Sequence, residues 1–173
     1  MKVSLRPTTE KTLPLTLAWR NQSAVYEGAY TQKAPLTWEE HYTWWKTRGP
    51  WWRFWIIQVT DETGTRDAGV VNFGQLEHWN PELAYYVGEV SLWGKGVAEE
   101  ALKLALEWLQ ERGYCRTHTT VKEDNSRSTE LLTKMGFQRT VSARKGEWYW
   151  EVYLTEKQVH GAGEYTSGRK SLD

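Results

Sequence analysis

Apolar positions along the chain change period several times, and each change marks an element. KVSLRP alternates like a short strand and stops at Pro7, after which LPLTLAWRNQ, from Leu13, carries apolar residues at helical spacing. LTWEEHYTWWKTR predicts a second helix, with Thr37 as N-cap and Glu40 three residues on completing a capping box, and Gly49 and Pro50 stopping it. WWRFWIIQVTD is rich in aromatic and β-branched residues and reads as a buried strand; ETGTRD reads as a turn and AGVVNFGQLE as the returning strand of a hairpin. ELAYYVGE is a further strand. Ala98, Ala101, Leu102, Ala105, Leu106 and Leu109 then recur on one helical face until Gly113. RTHTTV predicts a strand, NSRSTELLTKM a helix capped by Asn125 or Ser126 and ended by Gly136, and QRTVSARKGEWYWEVYL a last hairpin turning at Lys145 and Gly146. Residues 1–154 read as a single domain, and from Thr155 the composition shifts to Gly, Ser and charge, as in a flexible tail over 155–173.

Composition changes this picture mainly by exclusion. Lys plus Arg and Asp plus Glu are both 22, so no excess of positive charge points to nucleic acid. Cys115 is the only cysteine, and no run approaches a membrane span or a signal core, so a cytoplasmic protein without a membrane or metal partner is expected. Twelve tryptophans in 173 residues are unusual. Those at 44, 45, 51, 52 and 55 crowd around one turn, more than filling a core requires, and suit a ligand surface or a second subunit of a homodimer.

LWGKGVAEEALKLALEWL places two glycines around Lys95 at the mouth of the long helix. A Walker A loop fails, because Gly88 and Gly94 are wrongly spaced and Gly96 stands where a hydroxyl belongs; a dinucleotide fingerprint fails at Glu99. The pattern [RQ]xxGx[GA] is met by Trp93, Gly94, Lys95, Gly96, Val97 and Ala98 except at its first position. Small residues there let main-chain N–H groups at a helix start approach a pyrophosphate.

From Glu82 to Gln138 the chain resembles the acetyl-CoA-binding core of the GNAT superfamily of N-acyltransferases. WGKG in the loop, WRN at Trp19–Asn21, and Glu40, His41 and Trp45 of the second helix resemble the branch that includes acetyltransferases of ribosomal-protein amino termini and of nucleotide-linked amino sugars. The resemblance implies an α+β fold: a mixed central sheet of about seven strands with helices on both faces and a V-shaped splay between the fourth and fifth strands, here LAYYVG and RTHTTV. It implies acetyl-CoA as cofactor, lying in the splay and held by Val87, Leu92, Trp93, Gly94, Lys95, Gly96, Val97, Ala98, Asn125 and Ser128. An amine then attacks the thioester directly, and a main-chain N–H near Tyr86 or Val87 faces the oxyanion.

An attacking ammonium must lose a proton, and Glu82, which opens the cleft strand on the face of Ala84 and Tyr86, is the first candidate acceptor, ahead of Glu77, His78 and His41. Many relatives carry a tyrosine on the helix after Asn125 to protonate the departing thiolate; this sequence has Leu131 and Leu132 there, leaving Tyr85, Tyr86 or water. Cys115 reads as a small strand-edge residue. The acceptor side is expected to be formed by Arg20, Asn21, Tyr30, His41 and Trp45, a mix of donors and aromatic faces suited to a small-molecule primary amine such as an amino sugar. A protein amino terminus, or CoA binding without catalysis, are the alternatives.

Overall fold

The computed structural model describes residues 1–29, 31–140 and 145–154. Seven strands form one sheet in the order β1-β2-β3-β4-β5-β7-β6: β1 (Lys2–Pro7), β2 (Arg53–Asp61), β3 (Gly64–Gly74), β4 (Glu82–Val87), β5 (Arg116–Lys122), β6 (Gln138–Thr140) and β7 (Glu147–Tyr153). All neighbours run antiparallel except β4 and β5, which are parallel and share a single pairing, Glu82 opposite His118. Beyond that pair no ladder joins the two strands, so the sheet opens there into the expected V.

The helices are α1 (Leu13–Arg20), α2 (Ser23–Tyr26), α3 (Trp38–Lys46), α4 (Val97–Glu111) and α5 (Ser126–Lys134). Thr37 and Glu40 form the predicted capping box, Asn125 caps α5 by accepting from the Ser128 amide at 3.2 Å, and Gly113 and Gly136 follow α4 and α5 with φ of +82° each. The β2–β3 turn is shorter than expected: strand pairing begins at Asp61 opposite Gly64, so most of ETGTRD is strand.

Two cores lie on opposite faces of the sheet. Leu83, Tyr85 and Val87 of β4 join Trp55, Phe73, Val121 and Trp150 with the apolar stripe of α4 and with Leu132 of α5. On the other face Tyr86 packs with Trp19, Ile56 and Val70 under α1. The period of two along β4 therefore sends Glu82, Ala84 and Tyr86 to the α1 side. Tyr30 and residues 155–173, expected respectively at the acceptor side and in a tail, lie outside the described residues.

Candidate active site

The cofactor side is built from main chain. Gly94 and Gly96 have φ of +74° and +80°, the left-handed region that L side chains avoid, and a Cβ at either would meet nothing within 4 Å, so the loop faces open space. Gly96 is the N-cap of the 15-residue α4 and has no side chain to cap it, which leaves the first N–H groups of that helix and the positive end of its dipole turned outward. Trp93, standing where Arg or Gln is usual, donates from Nε1 to the Val87 carbonyl at 2.8 Å and pins the loop to the end of β4. Arg127 lies over its ring at 4.3 Å. The unpaired edge of β4 beyond Glu82 offers an extended ligand the hydrogen bonds of an added strand. This set of donors fits a pyrophosphate at the loop and a pantetheine arm in the V.

At the far end of the V, Tyr85 reaches a buried position beside Ser128 but makes no hydrogen bond of good geometry, and burial pushes its phenol up. Of Leu131 and Leu132, where the resemblance leads one to expect a tyrosine, Leu132 is fully buried core and Leu131 packs partly buried against it. The phenol of Tyr86 is not at the opening: it is buried against α1, its hydroxyl 3.4 Å from the Thr16 carbonyl, and burial raises its pKa against the opposing pull of Arg20. Any role of Tyr86 at the cleft belongs to its main chain. Asn125 uses its oxygen on the α5 cap and donates from Nδ2 to the Gly28 carbonyl at 3.1 Å.

The acceptor side is built from side chains on the α1 face. Register places Phe54, Asn72 and Ala84 in one row across β2, β3 and β4, and Gly74, Glu82, His118 and Glu151 in the next across β3, β4, β5 and β7. The Trp52 ring lies directly on Gly74; a Cβ there would come within 2.6 Å of it. Trp52 stacks on Phe54 at 5.7 Å, Trp44 meets both edge-on, and the Arg48 guanidinium sits between Trp44 and Trp52 at 4.8 and 4.7 Å. Arg20 approaches the same Trp44 ring at 5.7 Å. Trp44, rather than the expected Trp45, thus joins the aromatic wall, and Trp45 is half-buried beside it.

Other expected acceptor residues have partners within the protein. Asn21 bonds Leu36 twice, Nδ2 donating to its carbonyl at 2.8 Å and Oδ1 accepting from its amide at 2.7 Å. Arg20 donates from Nε to Gln32 at 3.1 Å, and Gln32 donates back to the Arg20 carbonyl. His41 is buried between α3 and α1, its Nε2 2.9 Å from the Thr16 hydroxyl; burial and nearby Arg20 hold its pKa down at about 4. Glu77 and His78 line a surface depression with Arg112, Tyr114 and the exposed Cys115, off the V.

His118 is the residue that sequence reasoning missed. It faces Glu82 across the one β4–β5 pairing, stacks on Tyr149 at 4.8 Å, and places Nδ1 3.1 Å from the Asn80 carbonyl. The alternation of RTHTTVK puts His118, Thr120 and Lys122 on one face, but only the pairing with Glu82 reveals which face that is.

A mixed sheet split between a parallel pair, with an uncapped helix N-terminus at its mouth, is the architecture that the resemblance to N-acyltransferases leads one to expect. The chain belongs to the acetyltransferase (GNAT) domain family, whose pattern it matches over residues 2–138, and acetyl-CoA is that family's acyl donor. An uncharacterized protein of Methanocaldococcus jannaschii is 40% identical over 154 residues, which cover 88% of this chain and 31% of that protein. The chain thus spans about a third of the length of this curated relative. A domain from Methanocaldococcus jannaschii, solved as a crystal structure, superposes with a TM-score of 0.85 at 40% identity, covering 88% of this chain and 99% of the domain. Spermidine N-acetyltransferase from Vibrio cholerae, solved with CoA and spermine, superposes with a TM-score of 0.73 at 14% identity over 88% of this chain and 95% of its own. An aminoglycoside acetyltransferase in complex with coenzyme A gives 0.73 at 19% identity, with the same coverage. These last two likenesses concern the fold. Among the described residues no helix is long and apolar enough to cross a membrane.

Proposed function

We propose that the protein transfers an acetyl group from acetyl-CoA to the primary amine of a small molecule, an amino sugar or a similar polar amine, which enters from the α1–α3 face. The observation that carries this reading is the division of the V: a side-chain-free cradle at the α4 N-terminus on one side, and on the other a polar apex at Glu82 flanked by an aromatic floor. Acetyl-CoA supplies a thioester carbonyl that an amine attacks without an enzyme-bound intermediate. The main chain of Gly94, Gly96, Val97 and Ala98 holds the pyrophosphate, Leu92 and Trp93 set the loop, Lys95 adds charge at its rim, and Val87, Asn125 and Ser128 flank the arm. A main-chain N–H near Tyr86 or Val87 faces the developing oxyanion. Glu82 gives the apex the negative charge toward which the ammonium is drawn and its proton leaves. Trp44, Trp52 and Arg20 form the wall against which the rest of the acceptor lies.

Incubation with acetyl-CoA and a panel of amines, comprising an amino-sugar nucleotide, a polyamine and a peptide with a free amino terminus, tests the reading through release of free CoA thiol. Release with a small amine supports it. Release with the peptide alone moves the acceptor to a protein amino terminus. Tight CoA binding with no release above the amine-free rate identifies a non-catalytic CoA-binding protein.

A further inference from the structure

The proton that leaves the amine has a receiver in the fold that no sequence pattern singles out. We infer that the receiver is His118, through Nε2, and that Glu82 serves it as counter-charge rather than taking the proton itself. The inference rests on the acetyltransferase reading above.

Four observations carry it. His118 stands opposite Glu82 at the point where β4 and β5 part, so its ring is at the apex of the V on the face where the aromatic wall lies. A carbonyl oxygen only accepts, so the 3.1 Å contact of Nδ1 with the Asn80 carbonyl places the ring hydrogen on Nδ1 and leaves the Nε2 lone pair free in the neutral ring. The ring is clamped by stacking on Tyr149 at 4.8 Å and 17°. Asn80 is itself anchored, Nδ2 donating to Tyr149 Oη at 3.1 Å and to Glu151 at 2.9 Å, with Glu151 paired to Arg116 at 3.3 Å. The ring therefore has a fixed tautomer and a fixed direction, which orient its free nitrogen as a proton acceptor.

The groups facing it are Glu82 from β4, Arg116 from its own strand, and Glu151 and Tyr149 from β7. Burial lowers its pKa, Glu82, the Asn80 carbonyl and Glu151 raise it, and Arg116 lowers it, with burial prevailing. In the reaction the amine nitrogen bonds to the carbonyl carbon, its proton passes to Nε2, and the C–S bond breaks with its electron pair on sulfur. The imidazolium, with the Glu82 charge on the neighbouring strand, then gives its proton to the thiolate or to solvent.

Two measurements test this. In the cofactor-free protein, nitrogen NMR of His118, assigned by the signal lost in His118→Asn, is expected to show the Nδ1–H tautomer and a midpoint below 6.5 that moves lower still in Glu82→Gln. In turnover, His118→Asn keeps a donor for the Asn80 carbonyl but lacks Nε2. It is expected to lower kcat about 100-fold, to abolish the acid limb of the kcat profile, and to leave CoA affinity unchanged. An Nε2–H tautomer, or a His118→Asn variant with wild-type kcat and an intact acid limb, would overturn the inference while leaving the acetyltransferase reading standing. A wild-type protein that binds CoA yet acetylates no amine would remove both.

Discussion

On the α4 side of the V the groups that meet a ligand are main-chain N–H groups, set by two positive-φ glycines and a helix start; on the α1–α3 side they are ring faces, guanidinium groups and a carboxylate. In the proposed function the first arrangement would recognise something common to every CoA thioester through main chain, leaving side chains such as Trp93 and Lys95 less constrained. The second is specified residue by residue, and several of its polar members are already committed to holding α1, α3 and the segment between them together. Specificity for the amine and stability of that wall are consequently drawn from the same side chains, whereas on the cofactor side they are separable.

The most severe way to break the contrast is Gly96→Val, which forces a β-branched residue to φ +80° and points its Cβ into the open space proposed for the pyrophosphate. CoA affinity measured by calorimetry is expected to fall more than 100-fold, equivalent to about 3 kcal/mol. Glu82→Gln comes next. Removing the apex charge is expected to lower turnover about 100-fold with CoA affinity nearly intact, and wild-type turnover from pH 6 to 9 would show that the apex is not where the proton leaves. The third test is one of stability. His41 is held at about 4 by burial, below the ordinary imidazole value, so the unfolded chain gains a proton as pH falls through 6.5 that the folded protein refuses until about 4. Urea unfolding is expected to show stability declining across that window by up to about 3 kcal/mol, and His41→Gln to flatten the decline. Trp44→Ala is expected to raise the acceptor KM about tenfold, or roughly 1.4 kcal/mol, without altering CoA affinity. Lys95→Ala sharpens the contrast from the other end: a loss of only about threefold in CoA affinity, under 1 kcal/mol, is expected where recognition lies in main chain. Equal losses for Lys95→Ala and Gly96→Val would place recognition in the lysine instead.

Much of the scaffold was legible because its signals are local. Thr37 and Glu40 announce a capping box, Gly113 and Gly136 stop helices with positive φ, and the stripe of α4 repeats at helical spacing. The glycine loop was readable for the same reason, since WGKG is contiguous. The acceptor side was not. Trp44 and Trp45 are adjacent in sequence and point in different directions, and which one reaches Trp52 and Phe54 depends on how α3 rolls against β2. Asn21 and His41 have the chemistry of ligand contacts, but long-range partners at Leu36 and Thr16 engage them. The short α2 carries no sequence signal of its own. His118 lies 36 residues from Glu82 and acquires meaning only when two parallel strands set them side by side.

Asn125 belongs to both sides of the V. Its oxygen fastens the start of α5, its amide nitrogen holds the Gly28 carbonyl, and Lys122 grips the neighbouring Glu27 carbonyl at 2.7 Å, so the segment after α2 is tethered to the wall of the cofactor channel. A ligand that takes the amide nitrogen must take it from Gly28. The same side chain that starts α5 thus decides whether the segment after α2 stays fastened to it.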